Sequence, residues 1–308
     1  MIRFESLTKR YGATEAVVSL TFSVERGEAV ALLGPNGSGK TTSLKAAAGL
    51  IRPTGGRVAV GDPLEDAARP SARRTISYLP QKVAFPDALT GREVLEFYRA
   101  LRSAPLGRTA EVLNFASLNG ASNRAVATYS GGMVQLLGLA VALLPNAPVL
   151  LLDEPTAALD PDGLCAFYGL VERRRREGHT LLFTSHQMGD VERLADRLLL
   201  LVEGRLAASL SQGELARRLG ERGVMRLSLD RRTDGLLERV RAISPTAAWA
   251  AEELVVPGPA WDRPRVIELV TASGVEIRNL VAREGRLDEL YRELLPGFGE
   301  PSEPKNAT

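Results

Sequence analysis

The octapeptide Gly34-Pro35-Asn36-Gly37-Ser38-Gly39-Lys40-Thr41 follows directly on the apolar run Ala29-Val30-Ala31-Leu32-Leu33. Read as G-x-x-x-x-G-K-[ST] behind a buried strand, it is a phosphate-binding loop: glycines at 34, 37 and 39 let the backbone curl until successive N–H groups face inward. The helix that starts near Lys40 adds the positive end of its dipole at the same point. The ligand this predicts is a nucleoside triphosphate held by the loop from Gly34 through Thr42, with the Lys40 ammonium on the β- and γ-phosphates and the Thr41 hydroxyl on Mg²⁺. A glycine-rich turn with an incidental lysine is the plainer alternative, and the order of strand, loop and helix argues against it.

A triphosphate loop does not by itself choose between hydrolysis and transfer to a small molecule. A second apolar run, Val149-Leu150-Leu151-Leu152, ends in Asp153-Glu154-Pro155. Such a run reads as a buried parallel strand that delivers two carboxylates to the carboxyl edge of a sheet. Asp153 is then suited to hold Mg²⁺ through a water, and Glu154, facing differently, to polarise an attacking water. Between the two runs, Tyr129-Ser130-Gly131-Gly132-Met133 opens a helical stretch through Gln135, Leu136, Leu139 and Ala140. Alone, that segment reads equally well as a simple N-cap.

Taken in chain order, the phosphate loop, Tyr78-Leu79-Pro80-Gln81, Tyr129 to Met133, the Asp-Glu strand, Ala158-Leu159-Asp160 and Thr184-Ser185-His186 resemble the nucleotide-binding subunit of ATP-binding-cassette (ABC) transporters. The resemblance covers residues 1 to about 215. It implies an α/β P-loop NTPase with a parallel core sheet, an antiparallel edge sheet and a helical subdomain, using ATP and Mg²⁺. It further implies that Tyr11 stacks on adenine, that Gln81 contacts Mg²⁺ and the attacking water, and that His186 senses the γ-phosphate. Asp160 would cross to a second subunit, and Ser130, Gly131 and Gly132 would grip the partner's ATP in trans. The implied partners are an integral-membrane permease and a second ATPase subunit, for which a homodimer is the simplest form, at the cytoplasmic face of the membrane.

The sequence departs from the family pattern at the signature. Tyr129 and Met133 replace its ends, and Val134 and Leu136 stand where basic residues are common. The more apolar helix is expected to meet a partner or the adjoining helix. The ending Gly285 to Leu295 resembles ATPase subunits of ABC-2 export-type transporters. The stretch from Leu79 to Tyr98 is similar to the ATPase that supports copper-site assembly in nitrous-oxide reductase.

Composition sets the outer bounds. A chain of 308 residues can bury one large core plus a small second domain, and 39 Lys+Arg against 37 Asp+Glu give a formal charge of +2, with no signature of a nucleic-acid partner. The longest apolar runs, Leu136 to Leu144 and Leu198 to Val202, fall short of the roughly 20 residues a bilayer requires. Met1 to Glu5 lead straight into motif-bearing sequence, so no signal peptide is expected. The single cysteine, Cys165, excludes an internal disulfide and reads as a small buried residue; His179 reads as a surface residue and Arg173 to Arg176 as a solvated helix face.

Strands are expected within residues 1–33 and at 57–61, 75–79, 149–152, 180–183 and 198–201, alternating with helices from the loop to Gly49 and at 90–102, 161–177 and 188–195. Apolar strands alternating with helices mean a parallel sheet covered on both faces. The stretch to about Arg124 reads as helical, the region that in this family faces the membrane subunit. After a short helix at 211–219 the pattern changes. The expected division is an ATPase domain over 1–220, a small C-terminal α/β domain over 221–296 in the order β-α-β-α-β-α, closed by a helix at Leu287 to Leu295, and a disordered tail over 297–308. No repeat or metal-ligand cluster is visible. Two other classes compete: a soluble ABC ATPase of translation or DNA repair, which brings tandem cassettes or an inserted coiled coil, and a P-loop kinase, which has no use for Ser130-Gly131-Gly132 or His186. One uninterrupted cassette favours a transport ATPase; the family resemblance implies ATP-driven closure and opening of a dimer that moves cargo through a permease, and the ABC-2 resemblance implies export.

Overall fold

Burial of every residue of Ala29–Leu33 puts this strand at the heart of the first of two units. The computed structural model describes residues 1–185 and 187–285. In chain order the first unit runs β1 (Ile2–Tyr11), β2 (Thr14–Val24), β3 (Ala29–Leu33), α1 (Lys40–Ala47), β4 (Gly55–Val60), β5 (Glu65–Asp66), α2 (Pro70–Arg74), β6 (Ile76–Leu79), α3 (Gly91–Leu101) and α4 (Arg108–Phe115). It continues with α5 (Gly131–Leu143), β7 (Val149–Leu152), α6 (Pro161–Arg176), β8 (Thr180–Thr184), α7 (Met188–Leu194), β9 (Arg197–Val202) and β10 (Arg205–Ser211). The core sheet has the order β10-β9-β3-β8-β7-β6. All its pairs are parallel except β9–β10. An antiparallel sheet in the order β2-β1-β4-β5 packs over α1.

One apolar core joins the two sheets through α1. It includes Ile2, Phe4, Leu20, Val30, Leu32, Leu44, Leu151 and Leu182, each such side chain contributing about 1.5–3 kcal/mol by leaving water. Phe4 and Phe22 stack with ring centres 4.2 Å apart. Thr90 caps α3, its hydroxyl accepting from Glu93 N while the Glu93 carboxylate accepts from Thr90 N, a reciprocal pair that fixes the helix start.

Several expectations are corrected. The region to Arg124 holds only the two-turn helix α4 and then turns. The strand β10 lies where no element was expected: Glu203 and Gly204 take φ of 47° and 76°, and the chain folds back on β9. His179 is buried, its Nδ1 2.8 Å from the Ala147 carbonyl oxygen; burial pushes its pKa below the usual histidine value. Cys165 is exposed, because the buried face of α6 is carried by Gly163, Phe167, Leu170, Val171 and Arg174. Arg174 thus leaves the solvated arginine row and bonds Asn146 and Glu177.

The second unit begins at Gln212, with α8 (Gln212–Gly220), β11 (Val224–Leu229), α9 (Leu236–Arg241), β12 (Ala248–Ala250), β13 (Glu253–Pro257), α10 (Arg263–Ala272) and β14 (Ile277–Arg283). The division falls nine residues ahead of the expected boundary at 220, since α8 is tied into this unit: Gly285 N donates to Leu219 O at 2.9 Å. The second strand of the expected β-α-β-α-β-α order, which the sequence places over 248–256, is a hairpin that turns at Ala251, whose φ is 52°. The order is therefore β-α-β-β-α-β, and the antiparallel sheet β12-β13-β11-β14 has the ferredoxin-like arrangement. Met225, Leu227, Leu236, Val240, Leu254, Val266 and Val270 form its core. The expected helix at Leu287 to Leu295 and the tail over 297–308 lie outside the described residues.

Candidate nucleotide site at the carboxyl edge of the parallel sheet

The loop between β3 and α1 is shaped by its glycines. Gly34 has φ of 149°, and a Cβ there would stand 2.1 Å from the Leu201 carbonyl oxygen; at Gly39, with φ of 96°, it would stand 2.5 Å from the Ala16 carbonyl oxygen. No L side chain fits either place without moving backbone. Lys40 turns back into the loop it follows, its Nζ donating to Gly34 O at 2.7 Å and Pro35 O at 3.0 Å. Burial pushes this ammonium below the usual lysine pKa, with Glu154 and Asp153 pulling the other way. No side chain caps α1, so the N–H groups of its first turn remain for an anion.

Parallel pairing of β6, β7 and β8 brings three strand ends to one place. Asp153, 1% exposed, accepts through Oδ1 from the hydroxyls of Thr41 (3.2 Å) and Thr184 (2.8 Å). Its other oxygen, Oδ2, is buried without a hydrogen-bond partner. Burial raises the Asp153 pKa, outweighing the two hydroxyls. Glu154 has φ of 49°, an uncommon left-handed setting for a non-glycine residue that turns its carboxylate away from that of Asp153. Its N–H donates to Thr184 Oγ1 at 2.8 Å and its Oε2 accepts from Gln81 Nε2 at 3.0 Å. An open carboxylate oxygen beside a threonine hydroxyl is a donor set that a hard divalent cation takes together with phosphate oxygens and water. Among the described residues there is no cluster of three or more His, Cys, Asp or Glu suited to a metal.

A cleft of about 380 Å³ gathers Tyr11, Thr14 to Ala16, Asn36 to Thr42, Gln81 and Glu154. Tyr11 stands half exposed with the Lys9 ammonium 5.0 Å over its ring. Ser130, Gly131, Gly132 and Asp160 do not line this cleft. Ser130 caps α5, accepting from Met133 N at 3.2 Å, and Asp160 caps α6, accepting from Gly163 N at 2.8 Å. The two caps adjoin: a Cβ on Gly132 would stand 2.9 Å from the Ala158 carbonyl oxygen. His186 lies outside the described residues.

The apolar character of α5 is absorbed within the unit. Leu136 is buried, and Gly138 admits Val83 and Leu79, which would stand 2.8 and 3.1 Å from a Cβ there. Gln135, also buried, donates to Pro155 O at 3.1 Å and so ties α5 to the residue after Glu154. Sequence reasoning gave no role to Gln135 or Thr184, and none to Thr14 through Ala16. Thr184 could have been found from its place at the carboxyl end of an apolar strand; the β2 segment carries no local signal and arrives only through the hairpin.

The family model described as "ABC transporter" matches residues 17–157. The linearmycin resistance ATP-binding protein of Bacillus subtilis is 29% identical over 304 residues, covering 96% of this chain and 98% of that protein. The daunorubicin resistance ATP-binding protein DrrA3 of Streptomyces coeruleorubidus is 32% identical, covering 95% of each. A Nod factor export ATP-binding protein of Burkholderia orbicola is 39% identical over 212 residues, covering 67% of this chain and 69% of that one. These relatives lend no support to the copper-site resemblance. Among solved structures, an ATP-binding subunit of an ABC transporter superposes with a TM-score of 0.65 at 27% identity, covering 71% of this chain and 93% of that one. A dimeric cassette in a post-hydrolysis state with ADP and Pi gives 0.63 at 26% identity, covering 69% and 99%. A phosphate loop closed by an inward lysine, two diverging carboxylates at the adjacent strand end, and relatives that match nearly the whole chain agree: the chain belongs to the ABC transporter family, as an ATP-binding subunit that hydrolyses ATP to drive transport.

Proposed function

We propose that two copies of this chain form the motor of an exporter, each ATP gripped by the loop of one copy and by Ser130, Gly131 and Gly132 of the other. The separation of these two half-sites within one chain carries the reading, because the cleft around Lys40 lacks the signature residues and so offers only half an enclosure for a triphosphate. In this reading Lys40 and the loop amides hold the β- and γ-phosphates, Tyr11 stacks on adenine, and Asp160 meets the partner copy. Thr41, Gln81 and the open oxygen of Asp153 would hold Mg²⁺, which when bound supplies charge neutralisation to the phosphates. Glu154 orients water for in-line attack, steadied by Gln81 and by the Thr184 hydroxyl at its amide. The family resemblance assigns His186 the role of sensing the γ-phosphate.

ATP that contacts both copies only when they close stabilises the closed state by its differential affinity. A swing from mostly open to mostly closed takes about 5 kcal/mol, within reach of two triphosphates. No helix among the described residues is long and apolar enough to cross a membrane; in this reading the cargo passes through a separate permease, with the ATPase at the cytoplasmic face of the membrane. Phe97, Leu101 and Leu106 are more than 60% exposed, and Phe97 packs edge-on against Tyr98, which in turn meets Phe85; exposed apolar side chains of this kind suit a protein partner. The resistance and export relatives favour outward movement. In the test, Glu154→Gln binds ATP, loses nearly all turnover and sediments as a dimer with ATP and a monomer without it. Near-normal turnover would remove Glu154 from this role.

A further inference from the structure

Asp190, in the first turn of α7, is fully buried and receives three hydroxyls. Thr156 Oγ1 donates to its Oδ2 at 2.6 Å and Tyr168 OH to its Oδ1 at 2.6 Å. Ser185 Oγ donates to Oδ2 as well. The donors come from three places in the chain. Thr156 stands two residues past Glu154, Tyr168 is on α6, and Ser185 follows the last residue of β8 and precedes position 186. The Ser185 hydroxyl also accepts from Gln187 N at 2.9 Å, so a single oxygen engages both neighbours of His186. Tyr168 keeps its proton for this bond, since burial and then the bond to Asp190 push its pKa up to about 12.

We propose that Asp190 is a positioning residue for hydrolysis: its carboxylate locks the turn behind Glu154 and the two residues flanking His186 into one unit. The proposal rests on the roles assigned above to Glu154 and His186. Bonds to an ionised acceptor are shorter and stronger than neutral ones, and a carboxylate offers only acceptor sites, which matches three donors without conflict. Thr156 and Ser185 donate to the same oxygen, so that oxygen is the link between their two segments and the loss of either donor breaks it. A shift of an ångström in either element moves a reacting group out of line with the γ-phosphate, which costs rate while leaving the nucleotide held by the loop.

The test is a double-mutant cycle in the full chain. Ser185→Ala and Thr156→Val each lower kcat at least fivefold, with the KM for ATP and nucleotide affinity within twofold of the parent. Because both act through one oxygen, the double variant falls no further than the more severe single. Asp190→Asn, close in shape, lowers kcat at least as far with the same unchanged affinity. Two independent losses that multiply would overturn the proposal, as would variants that lose thermal stability and ATP affinity while the folded fraction turns over normally. Glu154→Gln is the control: if it abolishes turnover while Asp190→Asn does not change it, only the positioning role fails, whereas turnover surviving Glu154→Gln removes the catalytic reading beneath it.

Discussion

Asp153→Asn is expected to make the empty protein more stable and its liganded form less so. Asp153 is a buried carboxylate with one oxygen unpartnered and Glu154 next to it. An unsatisfied buried polar group costs about 1–3 kcal/mol, more when charged. Asparagine keeps an oxygen for Thr41 and Thr184, drops the charge and still leaves one amide group unpartnered, so the net gain is about 1 kcal/mol. For a unit spanning residues 1–211 that is about 2–4 °C in melting temperature. A non-hydrolysable ATP analogue with Mg²⁺ at a hundred times its Kd stabilises the parent by about 2.7 kcal/mol, and a complex weakened tenfold gains only about 1.4 kcal/mol at that concentration. Scanning calorimetry of the nucleotide-sensitive transition reads both numbers. The pH dependence gives a second reading. Asp153 has a folded pKa above its unfolded value near 4, so the folded state holds its proton longer and stability falls as pH rises from about 4 through the folded value. Asparagine removes that fall. A lower melting temperature for the empty variant, with an undiminished nucleotide increment, would refute the reasoning.

Lys40→Ala removes the ammonium bonded to Gly34 O and Pro35 O; ATP affinity drops at least tenfold by titration calorimetry, and unchanged affinity would count against the loop assignment. Gly39→Ala forces a Cβ to 2.5 Å from the Ala16 carbonyl oxygen at φ of 96°, costing more than about 2 kcal/mol in urea unfolding from left-handed strain plus backbone displacement; a stability within 0.5 kcal/mol of the parent, about the range of an ordinary surface change, would contradict the steric argument.

The parts of the site that are legible in the sequence are those dictated by local chemistry. Gly34 to Thr41 specify their own backbone, and the apolar strand before Asp153 announces where the carboxylates emerge. The partners that tune those groups are distant in sequence: Thr184 reaches Asp153 and Glu154 across a strand pairing, and Gln135 reaches Pro155 from a neighbouring helix. Single-residue features misread for the same reason. Cys165 and His179 exchange their expected exposures because the rotation of α6 and a carbonyl 32 residues away decide them. In the second unit, the hairpin at Ala251 was hidden inside a stretch that reads as a single strand, because no glycine or proline marks the turn between β12 and β13.

The central claim, that each nucleotide is shared between two copies, is tested most directly by mixing two inactive variants. Lys40→Ala destroys the loop half of every site and Ser130→Arg the signature half. In a mixed dimer, one site combines the intact loop of the second variant with the intact signature of the first, so ATPase activity returns on mixing. If each chain encloses its own nucleotide, every site in the mixture carries one lesion and the activity remains at the level of the separate variants.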